Sequence, residues 1–235
     1  MAVRAVKRRA PRETRGAEVA ADATPSTREQ ILDAAERLFA AKGIDGVAVR
    51  DLARETGLTA SSLYNHFPGK QALYDAVLER GLKPIVEMTA ETWQAGPLKP
   101  DRMRDMLDRL IDHLSAHLHL PPLLQRVLLE EAGRADSRLA SWVRSLTRPG
   151  MKLVREAAGA AGWEEDEIPH LTLALFGLTY SYFINGSAAH AIEAAMPEPF
   201  TPRALAIQRR FLEKATMRLL APRPRGAERA RRPTR

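Results

Sequence analysis

The chain has 235 residues, 45% of them hydrophobic, and a formal net charge of +7, enough apolar material for a real core in one large domain or two small ones. It has no cysteine, which excludes a disulfide framework, a thiolate metal site and a cysteine nucleophile and fits a reducing cytosol. The positive charge is not spread over the body: residues 1–25 hold six basic and three acidic residues and residues 221–235 six and one, leaving −1 between them.

Both ends are rich in Arg, Ala, Gly and Pro, with too few large apolar side chains to offset the entropy of ordering. Residues 1–25 and 221–235 are therefore expected to be disordered basic tails that attract phosphate non-specifically. Arg8-Arg9 is followed by Ala-Pro-Arg and not by an apolar stretch, so no export signal is expected. Ser26 or Thr27 caps a first helix with Ile31, Leu32, Ala35, Leu38 and Phe39 on one face and Gly43 as its stop. A short second helix runs from about Val49 to Thr56, and Gly57 supplies the positive φ of a tight turn. A third starts at Thr59, whose hydroxyl caps the Ser62 amide; Leu63 and Phe67 point inward and Pro68 forbids continuation. A fourth begins at Gly69-Lys70, with Gly81 and Pro84 expected to interrupt it.

Gly96-Pro97 and Pro100 separate a helix from Asp101 to about Leu120, and Pro121-Pro122 opens another. Asp136 or Ser137 caps a segment from Arg138, which Pro149-Gly150 either kinks or splits. The acidic run Glu164 to Glu167 suits the N-terminus of an uncharged helix, Ile168 to Ile192. Thr, Ser, Asn185, two Gly and two His make that run a buried helix and not a membrane span. Thr201-Pro202 starts a last helix with a near-heptad stripe of Ala204, Gln208, Phe211, Ala215 and Leu219. Nothing reads as a sheet, so the fold class is all-α.

Two short helices joined across Leu52-Ala53-Arg54-Glu55-Thr56-Gly57-Leu58-Thr59 have helix-turn-helix spacing, with Thr59 to Phe67 as the groove reader. Thr27 to Ala35, Phe39, Lys42-Gly43, Val49 to Ala53, Leu63-Tyr64-Asn65-His66-Phe67 and Gly69-Lys70 closely resemble the N-terminal domain of TetR-family regulators. The resemblance covers about a quarter of the chain and is most specific at its Leu-Tyr-x-His-Phe-x-x-Lys end. It implies a three-helix DNA-binding head over residues 26–85, a helical effector-binding and dimerisation body over 86–220, a homodimer, and a palindromic or near-palindromic duplex as partner.

By that resemblance Tyr64, His66 and Lys70 correspond to phosphate-contacting positions, near amides that also attract phosphate. Thr59, Ala60, Ser61, Ser62 and Asn65 line the face that approaches base edges; Asn pairs bidentately with adenine and Ala touches only a thymine methyl. Arg50 matches a position on the second helix that reads DNA in some relatives, or else pairs in solvent with Asp51 or Glu55. Ala48 departs from the Thr or Ser common there, so a cap and a phosphate contact are missing. Residues 26–80 hold seven basic and eight acidic residues, so geometry must do more than bulk charge. Asp33, Glu36 and Asp45 are expected to lie away from the phosphates.

In the body, Met103, Leu107, Leu110, Leu114 and Leu118 share a helix face. His113 and His117 have the four-residue spacing of a metal pair, but without cysteine or a third ligand the expectation is no metal and no cofactor, with both histidines as packed or pocket-lining groups. Trp93, Met103, Met106, Leu110, Trp142, Phe176, Tyr180 and Phe183, with the two histidines, are candidates for the lining of an apolar cavity for an unknown small-molecule effector, or for a plain core. By resemblance the last two helices pair across a two-fold axis. The implied protein is a cytoplasmic, ligand-responsive repressor and not an enzyme or a membrane protein. An architectural DNA binder without effector is the first alternative. An enzyme with a His-based site is the second, for which no nucleophile motif or phosphate loop speaks.

Overall fold

The computed structural model describes residues 25–94, 99–130, 151–193 and 195–222, with Ser141, Arg144, Ser145 and Arg148 besides. Among these residues all regular structure is helical: α1 (Thr27–Lys42), α2 (Val49–Thr56), α3 (Ala60–His66), α4 (Lys70–Gln94), α5 (Pro100–Ala116), α6 (Leu120–Glu130), α7 (Met151–Ala160), α8 (Ile168–Ile192) and α9 (Pro202–Leu220). The expected cap at Asp136 or Ser137 and the Pro149-Gly150 break lie outside the described residues, as do the tails up to residue 24 and from residue 223.

Local signals set the first boundaries. Ser26 Oγ accepts from the Glu29 amide at 3.2 Å, and Gly43, at φ 71°, ends α1. Gly57 closes α2 at φ 67°, a left-handed conformation that costs a side-chain-bearing residue roughly 1 kcal/mol or more. Thr59 Oγ1 accepts from Ser62 N at 3.1 Å and Thr201 Oγ1 from Ala204 N at 3.3 Å, each cap contributing about 1 kcal/mol.

The apolar faces of α1–α3 close over the start of α4: Ile31, Leu32, Phe39, Leu52, Leu63 and Phe67 are buried together with Leu73 and Tyr74. Phe39 meets Tyr74 edge to face at 5.2 Å. The same core continues through Leu82, Ile111, Leu114, Leu120 and Leu123 to Leu212 on α9. A smaller cluster around Ala158, Ile168 and Leu171 joins α7 to α8.

The fourth helix corrects the sequence reading. It passes unbroken through Gly81 and Pro84 for 25 residues, and the boundary expected at residue 85 falls inside it. Gly81 is there for packing: a Cβ at this position would lie 2.3 Å from Leu120 Cδ1. Pro84 removes an amide from the helix ladder, which normally leaves carbonyls one turn back in need of donors. The lost amide is the one that would reach Arg80 O, and the neighbouring carbonyl, Gly81 O, accepts from His113 Nε2 at 2.8 Å. Helix α5 also ends earlier than expected, at Ala116, where the chain turns through His117 and the Leu120 amide bonds back to His117 O at 3.0 Å. Pro121 and Pro122 then occupy the first turn of α6, where missing amides cost nothing.

The stripe on α9 divides. Ala204, Gln208, Leu212 and Thr216 are the buried set, following the four-residue ridge of a packed helix, whereas Phe211 is 49% exposed. On α8 the inward residues are Ile168, Leu171, Thr179, Tyr180 and Phe183, Phe176 is partly exposed beside Tyr180, and Leu173 faces outward. Arg104 Nη2 reaches Glu213 Oε1 at 2.6 Å and Arg209 joins Asp108 at 3.2 Å and Asp112, tying α9 to α5. Phe200 holds a positive φ of 64° under the Tyr182 ring, donating its amide to Tyr182 Oη at 3.1 Å. Among the described residues no helix is long and apolar enough to cross a membrane.

Head and body meet along one polar seam inside this packing. Arg80 of α4 donates to Asp33 Oδ1 and Glu36 Oε2 of α1, each at 2.7 Å, and to Glu29 Oε2 at 3.3 Å. Glu36 is only 3% exposed and accepts a further bond from His117 Nδ1 at 3.2 Å. Burial pushes the Glu36 carboxyl up, but the hydrogen bonds and positive charges of His117 and Arg80 outweigh it and hold its pKa below the ordinary carboxylate value. From α6, Arg126 donates to the Ala40 and Ala41 carbonyls at 3.3 and 3.2 Å, capping the C-terminus of α1.

Candidate nucleic-acid interface

A seven-residue helix has little stability of its own, so α3 depends on its attachments. Leu63 and Phe67 anchor it inside, at 2% and 3% exposure, and the Arg28 guanidinium lies 4.9 Å from the Phe67 ring centroid on the other side. The turn before it is fixed by the Leu58 amide on Ala53 O at 2.9 Å and by the Thr56 hydroxyl on Leu52 O at 2.9 Å. At the start of α2, Asp51 Oδ2 accepts from the Ala48 amide at 3.1 Å. Ala48 has no hydroxyl to return the bond, so half of a capping box remains.

This scaffold turns one polar face to solvent. Thr59, Ala60, Ser61, Tyr64, Asn65 and His66 are exposed, with Ser62 half-buried beside them and Lys70 half-buried at the start of α4. Apart from the Thr59 cap, the side chains of this group make no hydrogen bond or ion pair among the described residues. Arg50 is exposed as well and takes neither of its expected partners. Asp51 binds Arg54 at 3.2 Å, and Glu55 binds Arg37 at 2.9 Å. Two of the three acidic groups expected to avoid this face, Asp33 and Glu36, are bound to Arg80 in the seam.

The candidate pocket residues separate into groups. Met103, Met106, Leu110, Phe176 and Tyr180 line one cleft of about 210 Å³ between α4, α5, α7, α8 and α9. Phe183 does not join them; it is 3% exposed and packs against Tyr182 and Phe200. His113 and His117 also stand apart from the cleft. Their rings lie 4.8 Å from each other in the seam, one bound to Gly81 O and the other to Glu36. The side chain of Trp93 and the whole of Trp142 lie outside the described residues. Sequence reasoning did not find the remaining cleft residues, such as Ile85, Thr89, Val154, Thr172 and Thr216. They come from five helices, and no local pattern brings them together.

A short, well-capped helix standing on two others, its outer polar groups uncommitted among the described residues, defines the class: a helix-turn-helix head carried on a helical body. Residues 31–77 match the family model described as bacterial regulatory proteins, tetR family, so the chain carries a TetR-type N-terminal domain. It is 41% identical over 51 residues to the HTH-type transcriptional repressor KstR2 of Rhodococcus jostii, covering 22% of this chain and 25% of that protein. It is 36% identical over 101 residues to the tetracycline repressor protein class D of Escherichia coli, covering 40% and 46%. The chain thus spans from a quarter to about half the length of these relatives. In overall fold it is similar to the crystal structure of Mycobacterium smegmatis AmtR, at 22% identity and a TM-score of 0.63, covering 87% of this chain and 90% of that one.

Proposed function

We propose that this chain is a sequence-specific DNA-binding transcriptional regulator of the cytoplasm, a repressor that works as a homodimer on a palindromic or near-palindromic duplex and is released by a small molecule. The observation that carries this reading is the face of α3, where Tyr64, Asn65 and His66 are exposed with no partner of their own among the described residues. Tyr64, His66 and Lys70 hold phosphates, aided by the free amides at the start of α4. Asn65, Ser61 and Ser62 address base edges, and Ala60 permits close approach. Arg50, unpaired within the described residues, reaches the duplex from α2. The names of the matched relatives, both repressors, support the direction of control.

The dimer reading draws on the outward faces of α8 and α9. Leu173 and Phe211 are 67% and 49% exposed there, and a shallow groove between the two helices runs along Ala174, Gly177, Ser181 and Phe211. A Cβ on Gly177 would meet nothing within 4 Å, so a second helix has room to approach. The effector belongs in the cleft of about 210 Å³ in the body, and residues 26–85 and 86–220 are the two functional parts sharing α4.

Selection of bound duplexes from a random pool tests the proposal. Enrichment of one two-fold-related sequence is expected, and recovery of unselected DNA would overturn it. Sedimentation of Phe211→Glu is expected to give monomer where the parent chain gives dimer.

A further inference from the structure

The cleft between α4, α5, α7, α8 and α9 has an unusual balance of polar groups. Its walls include four threonines and a tyrosine but no charged side chain. Three of the threonine hydroxyls are already used: Thr89 donates to Ile85 O at 2.6 Å, Thr172 to Ile168 O at 2.9 Å and Thr179 to Leu175 O at 3.1 Å. Tyr180 and Thr216 are different: each is 5% exposed, lines the cleft and has no hydrogen-bond partner among the described residues. The Tyr180 oxygen keeps access to the cleft, Arg80 Nε being the side-chain polar atom that is sealed without a partner among the described residues, so this hydroxyl is open to a hydrogen bond with a ligand group there.

We propose that the cleft binds a compact, electrically neutral, planar and mainly apolar molecule that offers one hydrogen-bonding group to the Tyr180 hydroxyl. This rests on the effector reading above and narrows it. Size comes from the volume of about 210 Å³, somewhat above the roughly 150 Å³ of an engineered apolar cavity that accepts benzene. One or two fused rings fill it. Shape comes from Phe176 and Tyr180, whose rings stack at 4.2 Å with 21° between planes and present an aromatic wall. Neutrality comes from the absence of any counter-charge. No Lys or Arg is among the lining residues, and two cations of the flanking helices, Arg104 and Arg209, are tied to Glu213, Asp108 and Asp112, so an anion entering the cleft would lose its hydration with no charged lining group in return. Burial also pushes the Tyr180 pKa far up, so the phenol remains a neutral donor across the physiological range.

Calorimetric titration of the full chain with 1-naphthol, 1-naphthoate and naphthalene tests this. The three probes share a ring system and differ in charge and in hydrogen-bonding capacity. 1-Naphthol is expected to bind, and 1-naphthoate to bind at least about tenfold more weakly. Tyr180→Phe is expected to weaken 1-naphthol about five- to tenfold, the loss of one hydrogen bond, while leaving naphthalene within about twofold. Met106→Trp, which fills the cleft from a half-buried position, is expected to abolish binding of both, with circular dichroism reporting that the helices persist. No binding of 1-naphthol, binding of 1-naphthoate as tight as that of 1-naphthol, or an unchanged 1-naphthol affinity in Tyr180→Phe would overturn the assignment. If 1-naphthol binds as described and DNA affinity does not change, the assignment of the cleft stands and the effector-release reading falls.

Discussion

The outer face of α3 and the seam where α1 meets α4 and His117 are opposite in kind. In the seam every formal charge is answered from within the chain: Arg80 serves three carboxylates, and Glu36 takes both Arg80 and His117. On α3 the polar groups are exposed and, beyond the Thr59 cap, answer to nothing among the described residues. A charge census of the head, seven basic against eight acidic over residues 26–80, does not distinguish these regions. Pairing does. Charge that is buried and matched stabilises the junction, and polar groups left unmatched in water at no structural cost are free for a ligand.

The largest effect is expected in the seam. Arg80→Ala leaves Glu36 buried without its main cation, and unfolding in urea should give a loss of about 3 kcal/mol. A loss below 1 kcal/mol would mean that His117 and solvent compensate, and the contrast with α3 would fade. Next comes Asn65→Ala, which should alter base preference in a duplex selection by roughly 1–3 kcal/mol at one position while the melting temperature stays unchanged. Thr59→Ala removes a cap and should cost about 1 kcal/mol of stability, felt at α3 and hence in DNA affinity. Lys70→Ala should weaken binding to all duplexes alike and lower the slope of log affinity against log salt by about 1.

Acidification gives the smallest and most graded test. His113 faces Gly81 O, His117, Glu36 and Arg80, and its pKa is lowered, first by burial and then, against the help of the Gly81 carbonyl, by the charges of His117 and Arg80. The unfolded chain therefore takes up this proton before the folded one. Stability should decline as pH falls below about 6.5, the ordinary histidine value, and the decline should end below the folded value. Glu36, whose folded pKa is lowered, adds stability that is present above the ordinary carboxylate range near about 4.3 and is lost as pH falls through its folded value. Melting temperatures of the parent and His113→Asn between pH 7.5 and about pH 3 separate the two: the variant should lose the upper part of the decline and keep the lower.

What was legible in the sequence follows the range of each interaction. Ser26, Gly43, Gly57 and Thr59 act within a few residues of themselves, so α1–α3 begin and end where their chemistry says, and the residues on the exposed face of α3 could be named from one motif. The continuity of α4 was not legible, because the groups that accommodate Gly81 and Pro84 arrive from Leu120 and His113. The histidines were read as a pair on one helix. Their partners, Gly81 and Glu36, are 32 and 81 residues away, beyond any periodicity. On α9 the stripe was found in the right place but its division into an inner and an outer face was not, since a near-heptad pattern looks the same whether its residues meet one neighbour or two.

The unbroken α4 has a geometric consequence. From Pro84 to Lys70 the helix extends about 21 Å at about 1.5 Å per residue, and Lys70 lies at its first residue, beside α3, while Ile85 and Thr89 line the cleft. A rigid rod pivoting by about 10° at the proline sweeps its far tip through roughly 4 Å, close to the rise of about 3.4 Å between stacked bases. On such a pivot a shift of about 1.3 Å at Thr89, about 7.5 Å along the helix, would correspond to about 4 Å at Lys70, the gain on which the proposed release by an effector would draw.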